Sequence, residues 1–131
     1  MLERPDTALR RLAPDPVQLQ VIIGSLLGDG RITGRVGQRQ LNIAHQRHAY
    51  ARWKYDRLGS FAAGWPVRIA DLTQFATIAH PVFDDLAVLD RAGLLALTGP
   101  LGLAVWLTDL GRIELRLDSF LPSQRAAVWA A

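Results

Sequence analysis

The sequence predicts an α+β domain: a four-stranded antiparallel sheet backed by helices, with two apolar helices packed at its centre. Three observations lead there. Residues 17–28 and 101–108 form two charge-free runs of helical length. Between them lie two pairs of short segments in which apolar and polar residues alternate, the signature of hairpins with one face in the core and one in water. The whole chain of 131 residues is 50% hydrophobic and 21% charged, the balance of one globular domain with a sizeable core.

Residues 1–16 read as a polar leader carrying Pro5, Pro14 and Pro16, with a short helix over 7–12, and residues 17–131 as the domain proper. Asp15-Pro16 is a helix start, because Asp caps free amides and Pro is tolerated in the first turn. The run Val-Gln-Leu-Gln-Val-Ile-Ile-Gly-Ser-Leu-Leu-Gly (17–28) leaves little room for a solvent face, so this helix should be buried nearly all round. Asp29-Gly30 ends it, with Gly30 suited to a left-handed cap. Residues 31–36 and 40–46 alternate about Gly37, with Ile32, Val36, Leu41 and Ile43 inward and Arg31, Thr33, Arg35, Gln40, Asn42 and Gln46 outward. A helix follows over 49–63, in which Tyr50, Trp53 and Phe61 read as core by their spacing. A second hairpin covers 67–71 and 74–80, its inward parity undetermined, and Pro81 ends its last strand. A helix over 83–95 precedes the break at Gly99-Pro100, after which the second apolar run stops at Asp109-Leu110-Gly111. A strand over 112–117 and a short helix complete the chain.

Several function classes drop out on composition. Without cysteine there is no disulfide framework, thiolate metal site or cysteine nucleophile. The N-terminus has no signal-peptide stretch, and the longest uncharged run, residues 92–108, is too short and too broken to span a membrane. The expectation is a soluble, cytoplasmic protein. Charge is uneven. Residues 31–68 hold eight basic side chains (Arg31, Arg35, Arg39, Arg47, Arg52, Lys54, Arg57, Arg68) and one acid, Asp56, whereas the remainder is net acidic. A GC-rich genome would account for arginine over lysine, but not for the clustering. Such a stripe is the electrostatic footprint of a nucleic-acid binder, here one contacting about five phosphates.

The end of the chain restarts its beginning. Ser-Leu-Leu-Gly-Asp-Gly-Arg-Ile at 25–32 and Trp-Leu-Thr-Asp-Leu-Gly-Arg-Ile at 106–113 are similar words, as a partial internal repeat would give. Ile-Ile-Gly-Ser-Leu-Leu-Gly-Asp-Gly at 22–30 resembles the signature of the LAGLIDADG homing endonucleases, and Leu-Ala-Val-Trp-Leu-Thr-Asp-Leu-Gly at 103–111 resembles it less closely. The resemblance covers residues 17–131 and implies one full repeat, 17–98, plus a truncated second one, 99–131. It also implies that the two apolar helices pack side by side. Small residues four apart, Gly24 and Gly28 on one and Ala104 and Thr108 on the other, suit such a close approach.

What the resemblance implies for chemistry can be placed residue by residue. Asp29 takes the position of the family's metal-binding carboxylate, with magnesium as the implied cofactor; without the resemblance, an Asp there reads first as part of a helix-ending turn. In the second motif that position falls on Leu110, and Asp109, the second candidate catalytic acid, sits one residue early, about 100° around a helix. His80 closes the last strand of the full repeat, where it would either assist the scissile phosphate or simply cap the strand. His45 and His48 are poor candidates for a metal pair. Thr33, Arg35, Gln40, Asn42 and Gln46 have the chemistry to read base edges in the major groove of double-stranded DNA, and Arg31, Arg39, Arg47 and Arg68 to hold phosphates. Two readings follow: a magnesium-dependent, site-specific DNA endonuclease that cleaves or nicks, cutting both strands if a homodimer pairs two Asp29 residues; or a DNA-binding regulatory module of the same fold that no longer cleaves.

Overall fold

The computed structural model describes residues 12–111. The predicted strand over 112–117, the final helix and nearly all of the short helix over 7–12 lie outside them. The described chain is α+β, as expected. Helix α1 (Pro16–Leu27) leads into strands β1 (Arg31–Thr33) and β2 (Gln40–His45), and helix α2 (His48–Leu58) runs into a 3-10 turn (Gly59–Phe61). Strands β3 (Val67–Ile69) and β4 (Leu72–Ala76) follow, then helices α3 (Pro81–Ala87), α4 (Arg91–Ala96) and α5 (Pro100–Asp109). The sheet is antiparallel throughout, in the order β1-β2-β4-β3. No helix among the described residues is long and apolar enough to cross a membrane.

Helix α1 begins where the sequence places it. Asp15 accepts from the Gln18 amide at 2.8 Å while the Gln18 side chain accepts from the Asp15 amide at 2.9 Å, a reciprocal cap that satisfies two otherwise orphaned donors. Its Val21, Ile22 and Ile23 are fully buried, and with Leu41, Ile43, Leu58, Phe61, Phe75, Phe83 and Val105 they form the core between the sheet and the helices.

The two apolar helices meet as expected, but along a different line on α5. A methyl on Gly24 would lie 2.5 Å from the Gly102 carbonyl oxygen and 2.7 Å from Val105 Cβ; one on Gly28 would lie 2.5 Å from Asp109 Cβ. The line against the glycines is therefore Gly102, Val105 and Asp109, whereas Ala104 and Thr108 are buried beside it.

Other elements depart from expectation for identifiable reasons. The chain between β1 and β2 is a loop rather than a tight turn: Gly34 and Gly37 both take positive φ, and Asp84 of α3 accepts from the Gly37 amide at 3.1 Å. Val36 consequently sits in that loop, exposed, and not on the inner face. Gly30 is not a left-handed cap. Its amide donates to the Ser25 carbonyl at 2.6 Å, and a Cβ there would lie 2.8 Å from the same oxygen, so close backbone approach requires this glycine. The single helix expected over 83–95 is two, because Asp90 starts a new one by accepting from the Gly93 amide. Pro81 does not merely end a strand: it opens α3, with His80 as its N-cap.

Candidate nucleic-acid interface

Strand alternation sorts the polar side chains onto one surface. On β2, Leu41 and Ile43 face the core, while Gln40, Asn42 and Ala44 face outward. The register brings Arg31 and Ala76 beside Asn42, Thr33 beside Gln40, and Gln74 beside Ala44, with Val67 beside Gln74 in turn. Together they form one side of the sheet, curved into an open concavity of about 520 Å³ lined by Asp29, Arg31, Asn42, Trp65, Val67 and Gln74 among others. Asn42 donates to the Thr33 hydroxyl and Gln40 donates to the Thr77 carbonyl at 2.9 Å, so both amides are oriented and keep their oxygens free for further bonds.

Asp29 stands exposed at the rim, just past the C-terminal end of α1, where the helix dipole favours a cation. It also lines a second concavity of about 480 Å³ with His45, Gln46, Arg47, Thr108 and Leu110. Asp29 is thus where the open sheet face meets the ends of the two central helices.

Asp109 is placed quite differently. Its carboxylate is buried against α2: Oδ1 lies 2.8 Å from Lys54 Nζ and accepts from the Tyr50 hydroxyl at 2.6 Å. Oδ2 accepts from Lys54 Nζ at 2.9 Å and from the backbone amide of Asp29 at 3.0 Å. Both oxygens are thereby engaged inside the protein, and the side chain holds the Asp29 turn in place instead of standing beside it. Burial lowers the Lys54 pKa, an effect that Asp109 opposes, and burial together with the Asp109 charge pushes the Tyr50 hydroxyl well up. Leu110, at the acid's position in the second motif, is 48% exposed and lines the same concavity as Asp29.

His80 is buried at the N-cap of α3. Its Nδ1 accepts from the Val82 amide at 3.0 Å, which leaves the proton on Nε2 to donate to the Leu12 carbonyl at 2.7 Å. Both ring nitrogens are engaged in holding the backbone, and what His80 caps is helix α3 rather than the strand.

The basic stripe divides. Lys54 pairs with Asp109, Arg39 Nε lies 3.6 Å from Asp84, and Arg52 Nε lies 3.4 Å from Asp56. Among the described residues Arg31, Arg35, Arg47, Arg57 and Arg68 have no such acidic partner. Arg31 stands on the outer sheet face, Arg35 in the loop beyond it, and Arg47 with Gln46 at the end of β2. Arg68 pairs in register with buried Thr73, which puts it on the opposite side of the sheet from Asn42. Arg57 lies on α2. The sequence-predicted residues are therefore brought together in part: Asp29, Arg31, Thr33, Gln40 and Asn42 share one surface, with Arg35, Gln46 and Arg47 at its margins, and Arg39, Arg68, His80 and Asp109 lie elsewhere.

Among the described residues no group of three or more His, Cys, Asp or Glu side chains could hold a metal ion. The protein donors at Asp29 thus amount to one exposed carboxylate. That fits a hard divalent ion only of the kind that keeps much of its water and is completed by substrate phosphates, as magnesium commonly is.

With this geometry in place, residues 19–124 match the family model described as the LAGLIDADG DNA endonuclease family. The chain belongs to this family. A curated relative, Protein RecA of Mycolicibacterium flavescens, is 31% identical to this LAGLIDADG chain over 114 residues, covering 76% of the chain and 27% of the relative. Among solved structures, the homing endonuclease I-WcaI bound to its DNA recognition sequence superposes with a TM-score of 0.65 at 18% identity, over 79% of this chain and 55% of that one. The chain therefore spans about a quarter of the one relative and about half of the other. The structural likeness establishes a LAGLIDADG endonuclease fold.

Sequence reasoning did not assign Gln74 to the outer face, nor Lys54 and the hydroxyl of core residue Tyr50 to the Asp109 carboxylate. The Lys54–Asp109 pair had one signal: a lone lysine among arginines, on the helix that also carries Tyr50 one turn earlier. Gln74 could have been assigned once the parity of the second hairpin was fixed by Phe75 in the core.

Proposed function

We propose that this chain is a LAGLIDADG DNA endonuclease domain that binds duplex DNA across the outer sheet face and hydrolyses one strand, with Asp29 supplying the carboxylate for a magnesium ion. The observation that carries this reading is the position of Asp29, exposed at the rim of the concave face beside Arg31 and Asn42. A divalent ion, when bound, activates water and stabilises charge on the leaving oxygen in phosphodiester hydrolysis. The chain's own part is to place Asp29 through the Asp109 hydrogen bond to its amide, to hold phosphates with Arg31 and Arg47, and to present Thr33, Gln40 and Asn42 to base edges. Among the described residues one such acid stands at this rim, so the expected product is a nick. Its place of action on this reading is the cytoplasm.

A second reading, a DNA-binding module without cleavage, is favoured by a separate observation: the second motif offers no free acid, with Leu110 exposed where one would stand and Asp109 sequestered. Conversion of supercoiled plasmid carrying a selected site, in magnesium, distinguishes them. Nicked product from wild type and none from Asp29→Asn, at unchanged or higher DNA affinity, supports the nuclease. Leu110→Asp adds an exposed carboxylate beside Asp29 and should yield linear product. Cleavage that survives Asp29→Asn overturns the assignment of the acid; binding with no cleavage in any divalent metal leaves the second reading.

A further inference from the structure

The outer face of the sheet is chemically divided. Its β1–β2 half carries Arg31, Thr33, Gln40 and Asn42, whereas its β3–β4 half is almost wholly apolar: Trp65 is 77% exposed, Val67 52%, Ile69 53% and Leu72 38%. Strand β3 is inverted relative to an ordinary edge strand. Its apolar side chains point to the open face and its one charge, Arg68, lies on the side that β2 and β4 use for the core. Val67 and Ile69 therefore contribute nothing to the core. A bare apolar edge also invites pairing with other chains, which natural edges usually counter with charge. This patch is continuous with the surface already described, since Val67, Ile69 and Trp65 line the same concavity as Asp29, Arg31 and Asn42.

Within the patch one polar side chain stands, and its neighbour decides what it can do. Gln74 pairs in register with Val67, an arrangement that sets their Cβ atoms roughly 4.5–5.5 Å apart on one face. In the major groove an A·T pair offers two features side by side: the N6/N7 edge of adenine, which a Gln amide matches, and the C5 methyl of thymine, which takes an apolar contact. Resting on the reading that this face binds duplex DNA, we propose that β3 and β4 select thymine, Gln74 taking the adenine edge and Val67 the thymine methyl, with Ile69 and Leu72 extending the methyl contacts along the groove. The target is then read in two ways: by hydrogen bonds under β1–β2 and by C5 methyl groups under β3–β4.

The test uses the full chain. A preferred site is selected from a randomised duplex library, and each thymine in it is then replaced singly by uracil, which keeps the pairing and O4 and lacks only the methyl. At the positions under β3–β4 each replacement should weaken binding about fourfold, the effect of burying one methyl. Replacements elsewhere should change little. Val67→Ser with Ile69→Ser, both at exposed positions, should bind the thymine and uracil sites alike, with circular dichroism checking that the fold persists. Gln74→Ala should relax the choice of adenine at one position. A selected site without thymine in one half, or wild-type binding indifferent to every uracil, overturns the assignment while leaving DNA binding in place. Methyl sensitivity that persists in the double variant, while that variant shifts the chain from dimer to monomer in sedimentation, overturns it in favour of self-association. Failure to bind any duplex at low salt overturns the DNA reading and this assignment together.

Discussion

At the scale of single residues, the buried carboxylate of Asp109 is the position on which most depends. Two charges removed from water are held only by each other, Tyr50 and the Asp29 amide, so loss of one partner strands the other. Lys54→Met should destabilise the fold by about 3–5 kcal/mol, whereas Lys54→Met combined with Asp109→Leu should recover much of that loss. Urea denaturation of the single and double variants measures it, and strictly additive losses would show that the pair is not coupled. His45 gives a pH-dependent signature. Burial holds its imidazole below the usual 6.5, with the nearby carboxylates opposing. The unfolded chain then takes up this proton before the folded one does, so the stability His45 contributes is complete above that value and is lost as pH falls below it. His45→Gln should flatten the decline in Tm between about pH 7 and pH 5, the range in which histidine titrates; an unchanged slope would assign the decline to other groups.

Among the elements, α1 and α5 are set by what they lack. Gly24→Ala would raise helix propensity, yet its methyl would meet the Gly102 carbonyl and Val105 Cβ, neither of which is the free end of a flexible chain. Overpacking of this kind should cost about 1–3 kcal/mol net, read as a lower Tm for Gly24→Ala; a rise in Tm would mean that the helices part without penalty. The β3–β4 hairpin offers the opposite case. Ala70 has φ of 53°, a left-handed conformation that disfavours a Cβ, so Ala70→Gly should leave stability unchanged or raise it by up to about 1 kcal/mol, measured by thermal unfolding. The elements most legible in the sequence were those that carry their own punctuation. Asp15-Pro16 announced α1, the charge-free runs announced the central helices, and Leu41 and Ile43 fixed the parity of β2. Less legible were features decided by distant partners. Nothing local to Asp109 says that a lysine 55 residues away will claim it, and nothing local to Gly37 says that Asp84, 47 residues on, will accept from its amide. His80-Pro81 reads as a strand end and proves equally to be a helix start, since one residue can be both.

For the whole molecule, the basic stripe that suggests DNA in the sequence is thinned by folding. Of its eight cations, Lys54, Arg39 and Arg52 have acidic partners, while Arg57 and Arg68 stand away from the outer sheet face. Arg31, Arg35 and Arg47 remain on or beside it. The salt dependence of duplex binding should therefore be gentler than five phosphate contacts would give, with a log–log slope of roughly −3. Arg31→Ala should reduce its magnitude by about 0.9, and Arg68→Ala should leave it unchanged. Titrations at several salt concentrations decide this, and a slope unaffected by Arg31→Ala would place the phosphates on another surface.

The fit of Gly102, Val105 and Asp109 into the glycine face of α1 also bears on which surfaces a second copy of the chain could use. The surface along which two copies of α1 could lie against each other, bringing two Asp29 residues together, is already filled from within the same chain. A second molecule could reach it only by evicting α5, and with α5 would go the carboxylate that braces Asp29. Each chain is in this sense its own partner: the contact that completes its core also covers the glycine face of the helix from whose end Asp29 emerges.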